Sequence, residues 1–117
     1  MAFLSSFLIL YFIDVNKINS HEETAVTLVM GCYNPKLTKA VLKAGADIHS
    51  TNSNGTTLLH LAAYTAQHSI AKYLVKQGID KEAEDQDGNT ALDIVTNMAD
   101  YYYYELTDEL IEIYGSG

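Results

Sequence analysis

The sequence repeats with a period of 33 residues. When the sequence is shifted by 33 positions, residues of the same type meet in the same order. Thr24, Thr57 and Thr90 coincide, and Gly45 meets Gly78. Other positions match in type: Val26, Leu59 and Leu92; Leu28, Leu61 and Ile94; Asp47 and Asp80; Asn54-Gly55 and Asp87-Gly88. Such a period predicts successive copies of one unit, each burying its apolar side against its neighbours.

Each copy opens with the same signals. Asn54-Gly55 and Asp87-Gly88 predict tight turns, because these residue types tolerate positive φ. The aligned threonines Thr24, Thr57 and Thr90 are placed to cap the helix that follows, since a threonine hydroxyl can accept a hydrogen bond from a backbone N–H of the first turn. The apolar segments 58–63 and 91–96 then predict short first helices.

A polar break and a second helix complete the copy. The breaks are expected at Asn34-Pro35, at 67–69 and at Asp100, with Asn34 capping a helix that begins at Pro35. Gly45 and Gly78 are expected to close the second helices in the left-handed conformation. Apolar residues on those helices recur at i, i+3 and i+4: Leu37, Ala40 and Val41, then Ile70, Tyr73 and Leu74.

These segments carry a resemblance to a known family. N-G-T-T-L-L-H-L-A-A (54–63) resembles the helix-opening motif of the ankyrin repeat, with Leu58 in place of the usual proline. I-A-K-Y-L-V-K-Q-G-I-D (70–80) and L-T-K-A-V-L-K-A-G-A-D-I (37–48) are similar to its second helix and exit. The resemblance implies an all-α solenoid of helix–loop–helix repeats with projecting β-turns. We expect one domain over 1–117, divided into a half repeat (1–18) and repeats at 19–51, 52–84 and 85–117.

The N-terminal segment admits more than one interpretation. Asp14 is in register with Asp47, and three apolar residues (Leu4, Phe7 and Leu8) are in register with the second-helix positions. We therefore expect a half repeat at 1–18, whose apolar end offers a surface for self-association or for a longer array. The alternative is a signal or anchor at 1–13, and hence membrane-tethered display. That segment lacks a basic region and is shorter than the ~20 apolar residues that span a bilayer.

Both outer repeats depart from the pattern. The first has His21-Glu22 at the turn, and Thr27 and Asp93 stand where the middle repeat has His60. In the last repeat, strict register places Ile111 where glycine is expected, and Gly115 comes four residues later. One extra helical turn at the C-terminus is the simplest explanation, and a longer loop around Asp100 is the alternative. Helical spacing persists in this region at Tyr103, Leu106, Leu110, Ile111 and Tyr114.

Charge is distributed unevenly. Residues 1–78 contain six lysines and four carboxylates, whereas residues 79–117 contain Lys81 and eleven carboxylates, and the chain has no arginine. An acidic half repels phosphate, so nucleic acid is not expected as a partner. The single cysteine, Cys32, excludes an intrachain disulfide and fits a cytoplasmic or other intracellular location.

No catalytic, cofactor or metal site is expected. The four histidines are scattered without ligand spacing. His60 has no nucleophile or acid beside it in the sequence, and the resemblance implies a structural role that bridges the turns of adjacent repeats. Cys32 is expected to be a small filler or surface thiol. We therefore predict that the chain is not an enzyme.

The resemblance implies a protein partner bound by the turn tips and the inner, first-helix face. Carried over by position, this face comprises residues that the repeat pattern leaves free of a structural role: Ser53, Asn54, Thr56, Tyr64, Thr65, Gln86, Asp87, Asn89 and Asn97. The expected function is a protein-interaction module or scaffold. The alternative is a substrate-recognition or regulatory arm of a larger enzyme assembly.

Two surface features remain open. Four consecutive tyrosines, 101–104, cover all sides of a helix, so only one or two of them can face the core. Tyr103 fits the core register, and the others are expected to be at least partly exposed, as an interface or as a cover for the last helix pair. Glu82, Glu84, Asp85 and Asp87 form either a solvated turn or an acidic projection that attracts a basic partner. Lys39, Lys43, Lys72 and Lys76 are expected on the solvated outer face.

Overall fold

The structure is a computed structural model that describes residues 24–31, 34–52, 54–102, 105 and 107–115. Six helices and no strand occur within these ranges. The helices are α1 (Ala25–Met30), α2 (Pro35–Lys43), α3 (Leu58–Tyr64), α4 (His68–Lys76), α5 (Ala91–Tyr102) and α6 (Asp108–Tyr114). The prediction of an all-α fold is confirmed.

The helices are arranged as three pairs stacked in two rows. Within each pair the first helix contacts the second: α1 with α2, α3 with α4, and α5 with α6. Between pairs, α3 contacts both α1 and α5, and α4 contacts both α2 and α6. First helices therefore form one row and second helices the other, which is the predicted solenoid.

The core lies between the two rows. Leu59 and Leu74, both predicted to be core residues, are almost completely buried. Leu37 was expected on the buried side of its helix but is 39% exposed. Its equivalent Ile70 lies on α4, which packs against α2, whereas the described part of the chain has no second helix preceding α2. Among the described residues, Ile70 therefore has a neighbouring second helix on a side where Leu37 has none.

Two projecting turns repeat at the predicted interval. The N–H of Gly55 donates to the carbonyl oxygen of Asn52 (2.9 Å), and the N–H of Gly88 donates to that of Asp85 (3.0 Å). Each turn closes with a second backbone bond, from Asn52 N–H to Thr56 and from Asp85 N–H to Asn89. Both glycines have positive φ (75° and 78°), as the turn prediction requires.

The Asn52 and Asp85 side chains stabilise these turns. Asn52 Oδ1 accepts hydrogen bonds from the N–H groups of Asn54 and Thr56, both at 3.0 Å. Asp85 Oδ1 accepts the equivalent bonds from Asp87 and Asn89, both at 2.9 Å. The two turns thus have the same hydrogen bonds, although one is built on a carboxamide and the other on a carboxylate.

The three aligned threonines behave differently as caps. Thr57 and Thr90 accept hydrogen bonds from the N–H groups of His60 and Asp93, both at 3.3 Å, as predicted. The prediction is wrong for Thr24, whose buried hydroxyl makes no hydrogen bond. There the hydroxyl of Thr27 bonds instead to the Thr24 carbonyl oxygen at 2.8 Å.

Both second helices end as predicted and α2 also begins as predicted, whereas α4 begins at His68, inside the break expected at 67–69. Asn34 caps α2 by accepting from Leu37 N–H at 3.2 Å, with Pro35 in the first helical position. Gly45 and Gly78 follow α2 and α4 with φ of 104° and 92°. The same left-handed conformation occurs after α3, but there it is adopted by an alanine, Ala66, with φ of 55°.

The third repeat differs from the expectation. Asp100 lies inside α5, so the prediction of a polar break there is wrong. The last helix, α6, is short, so the prediction of one extra helical turn at the C-terminus is also wrong. The first residues of α3 and α5 are 33 positions apart, whereas those of α4 and α6 are 40 apart. The added residues therefore precede α6. No glycine or proline interrupts 91–102, so α5 continues to Tyr102, and Thr107 caps the next helix.

Several sequence predictions fall outside the described residues. They concern the half repeat at 1–18 with Leu4, Phe7 and Leu8, the irregular turn at His21-Glu22, the thiol of Cys32, and the positions of Ser53, Tyr103 and Leu106. Among the helices that the structure describes, none is long and apolar enough to cross a membrane.

Candidate functional site

His60 connects the middle repeat to the next turn, as expected. Its side chain is 1% exposed. One ring nitrogen, Nδ1, lies 2.6 Å from the Thr57 hydroxyl, and the other, Nε2, lies 2.7 Å from the Asn89 carbonyl oxygen. The ring therefore helps to fix the position of the second turn relative to α3.

A groove with acidic walls lies between the two projecting turns. It has a volume of about 470 Å³. We call it the acidic groove, and it is lined by Asn52, Asn54, Thr56, Leu61, Tyr64, Asp85, Gln86 and Asp87. Its polar walls are the two turns, which are held by their own hydrogen bonds, so the groove is preformed.

A second groove follows α5. It has a volume of about 480 Å³ and is more apolar than the first. We call it the tyrosine groove, and it is lined by Tyr64, Asn89, Ile94, Asn97, Met98, Tyr101 and Tyr102. Tyr101 and Tyr102 are 76% and 64% exposed, and their rings meet edge to face with centroids 4.9 Å apart.

Tyr64 belongs to both grooves and joins them into one surface. It lies at the end of α3 and is 46% exposed. Partial burial raises the pKa of the Tyr64 phenol, and the negative charges of Asp85 and Asp87 raise it further. The field of the acidic turn therefore reaches the wall that the two grooves share.

The opposite face of the molecule has a different character. Lys39, Lys43, Lys72 and Lys76 are exposed on the second helices, as predicted. Lys72 forms an exposed ion pair with Glu109 at 3.4 Å. Lys81 donates to the carbonyl oxygens of Glu112 and Gly115, both at 3.0 Å, and so links the exit of the second repeat to the end of α6.

Comparison with known proteins assigns the chain to a family. A family model described as "Ankyrin repeats (3 copies)" matches residues 5–85 and 25–112. The chain belongs to the ankyrin repeat family. Ankyrin repeats generally serve as protein–protein interaction modules and are generally non-enzymatic. No curated protein sequence matches the chain.

The structure brings together most of the residues predicted for the binding face of these ankyrin repeats. Asn54, Thr56, Gln86 and Asp87 line the acidic groove. Asn89 and Asn97 line the tyrosine groove, and Tyr64 lines both. Their role in binding stays a prediction.

Of the two remaining predicted residues, one lies outside the described part of the chain and the other lines neither groove. Ser53 lies outside the described residues. Thr65 lines neither groove, and it is not free of a structural role: its hydroxyl donates to the Leu61 carbonyl oxygen at 2.8 Å and accepts from Gln67 Nε2 at 2.9 Å. Gln67 in turn donates to the Met30 carbonyl oxygen at 2.8 Å, which connects the second ankyrin repeat to the first.

The sequence did not place several groove residues: Asn52, Leu61, Ile94 and Met98. It singled out Asp85 only as part of an acidic turn or projection, and Tyr101 and Tyr102 only as part of the exposed tyrosine run; all three line the grooves. A signal for Asn52 and Asp85 exists, because both are Asx residues three positions before a turn glycine and 33 positions apart. No comparable signal places Met98 or the two tyrosines beside Tyr64, since that depends on the unexpected length of α5.

The described residues include His68 and other side chains of metal-ligating types. They contain no group of three or more His, Cys, Asp or Glu side chains that could hold a metal ion. His68 is half-buried at the start of α4, and its Nδ1 lies 2.7 Å from the Tyr114 hydroxyl. Burial lowers the pKa of His68, and the Glu109 carboxylate partly opposes this effect. Its contacts are with the neighbouring repeat, not with either groove.

Proposed function

We propose that this chain is a protein-binding module that holds its partner on the continuous surface formed by the acidic groove and the tyrosine groove. The observation that carries the proposal is the position of Tyr64, a half-exposed side chain shared by both grooves. Tyrosine contributes a large contact area with few rotatable bonds, and it is enriched at binding hot spots. An open surface of this kind suits an extended protein segment.

The preformed turns support the proposal energetically. Binding costs free energy when side chains and loops must be ordered. Here the turn backbones are already fixed by Asn52 and Asp85, and His60 holds the second turn against α3. A partner can therefore contact exposed Asn54 and Asp87 without first ordering the loops that carry them.

We also propose that the chain itself has no catalytic activity. His60 is buried, and its two ring nitrogens contact Thr57 and Asn89 within the fold. His68 contacts Tyr114. General acid–base catalysis needs a group within hydrogen-bond reach of a substrate, and neither histidine lines the acidic groove or the tyrosine groove.

A quantitative affinity capture tests the proposed surface. The chain is compared with a Tyr64→Ala/Asp87→Lys variant and with an outer-face control, Lys39→Ala/Lys43→Ala. We expect the inner-face variant to lose at least one captured protein that the control still recovers. Equal recovery of every protein by all three forms would exclude the proposed surface.

The same capture addresses the alternative role. If the proteins lost with Tyr64→Ala/Asp87→Lys include the subunits of one enzyme, the module is a recognition or regulatory arm of that assembly. If they are not enzymes, the chain acts as a scaffold. Both outcomes require the same inner surface, so the choice between them depends on the partner.

A further inference from the structure

We propose that the partner segment is basic and carries an apolar or aromatic anchor within a few residues of a lysine or arginine. The anchor occupies the tyrosine groove, and the cation occupies the acidic groove across Tyr64. This inference rests on the proposed function and adds the chemistry of the ligand to it.

The tyrosine groove supplies the site for the anchor. Ile94 is buried at its base and Met98 is half-buried, while Tyr101 and Tyr102 are largely exposed. An apolar or aromatic side chain placed here removes exposed ring surface from water, which favours binding. Aromatic rings also favour the edge-to-face contacts that Tyr101 and Tyr102 already make with each other.

The acidic groove supplies the site for the cation. Asp85 is half-buried and held in place by the turn, and Asp87 is exposed at its tip. Of the described residues, none that lines either groove is basic. The described lysine nearest in sequence, Lys81, donates to carbonyl oxygens at the end of α6. The partner is therefore the source of positive charge that complements these carboxylates.

Tyr64 is the reason that both features belong to one ligand. It borders the two grooves, so a segment that crosses it reaches the apolar site on one side and the carboxylates on the other. A lysine or arginine that passes over the Tyr64 ring gains a cation–π contact as well as the charge attraction. The raised pKa of Tyr64, which follows from its burial and from Asp85 and Asp87, agrees with a negative potential at this point.

A matched substitution isolates the charge. Asp85→Asn/Asp87→Asn gives the second turn the Asx residues of the first, where Asn52 and Asn54 already form the same hydrogen bonds. The turn geometry is therefore kept while two negative charges are removed. The control is Glu105→Gln/Glu112→Gln, which removes two exposed carboxylates that line neither groove.

The experiment is a selection from short random peptides displayed on phage, performed with the full chain, the Asp85→Asn/Asp87→Asn variant, the Glu105→Gln/Glu112→Gln control and Tyr64→Ala. We expect the full chain and the control to enrich peptides with a lysine or arginine close to an apolar or aromatic residue. The Asp85→Asn/Asp87→Asn variant should lose the enrichment of lysine and arginine and keep that of the anchor. For a peptide selected by the full chain, the variant should bind about tenfold more weakly, and high salt should reduce this difference.

The outcomes separate the two proposals. Enrichment that requires Tyr64 but does not depend on the charges of Asp85 and Asp87 overturns the basic-segment inference and leaves the proposed surface intact. Selection of acidic peptides overturns the inference in the same way. If nothing is enriched, or if enrichment is unchanged in Tyr64→Ala, both the inference and the proposed function are wrong.

Discussion

The His60 ring donates a hydrogen bond from Nε2 to the backbone carbonyl oxygen of Asn89, 2.7 Å away in the next repeat. A carbonyl oxygen can only accept, so Nε2 carries the proton, and in the neutral ring the Thr57 hydroxyl donates to Nδ1. The same Asn89 oxygen accepts the N–H of Asp85. One buried side chain thereby connects a helix cap, a repeat interface and the turn that bears the acidic groove.

Replacing His60 by alanine is predicted to lower the free energy of unfolding by ~2–4 kcal/mol, because it creates a cavity and removes a donor to a half-buried carbonyl oxygen. Urea denaturation measures the effect. His49→Ala is the control, since His49 is exposed and only its backbone N–H bonds to Asp47, and it should change stability by less than ~0.5 kcal/mol. Equal effects of the two substitutions would refute the bridging role.

Core leucines are predicted to differ sharply from exposed ones. Leu74→Ala should cost ~2–5 kcal/mol, because Leu74 is fully buried between the rows of helices. Leu37→Ala, at 39% exposure, should cost less than half as much. Thermal or chemical denaturation measures both values. A Leu74→Ala variant as stable as the parent would mean that the assigned core is wrong.

Ala66 offers a stabilising substitution. Its φ of 55° is unfavourable for a side chain with a Cβ and is accessible to glycine without that cost. Ala66→Gly is predicted to raise the free energy of unfolding by ~0.5–1 kcal/mol, although glycine also gives the unfolded chain more freedom. The control Ala44→Gly, at φ −75°, should be destabilising. If Ala66→Gly destabilised the protein as much as Ala44→Gly does, the left-handed conformation after α3 would be wrong.

His68 is predicted to make stability depend on pH. Its folded-state pKa lies below the ordinary value of 6.5, mainly because of burial, so the unfolded chain binds the proton more readily. Its stabilising contribution is complete above the unfolded-state pKa and is lost as pH falls through the folded-state pKa. Denaturation curves of the parent and of His68→Gln are recorded from about pH 7.5 downwards. As the pH falls, the free energy of unfolding of the parent should decrease relative to that of His68→Gln. A difference independent of pH would contradict the assignment.

The sequence predicts the middle of the molecule better than its ends. The period of 33 places Thr57, Leu59 and Gly78 correctly because each performs the same local task in a repeat: a cap, a core contact and a helix exit. Thr24 shares the pattern but not the bond, and at that helix start the Thr27 hydroxyl donates to the Thr24 carbonyl oxygen. An aligned threonine therefore predicts where a helix begins more securely than it predicts which hydrogen bond its hydroxyl makes.

The third repeat shows why part of the site could not be predicted. Strict register predicts a break at Asp100, but helix formation is local, and residues 98–102 contain no glycine or proline. The continuation of α5 carries Tyr101 and Tyr102 to the groove beside Tyr64. Their contact with that surface depends on the stacking of two repeats, which no single stretch of sequence encodes.

A partner is expected to bind where the two grooves meet at Tyr64. This is tested by the change in amide chemical shifts when the isotopically labelled chain is titrated with a peptide selected by the full chain. We expect the shifts to cluster at residues 52–64 and 85–102, and to be absent in Tyr64→Ala. Shifts centred on the outer helices, around Lys39 and Lys72, would contradict it.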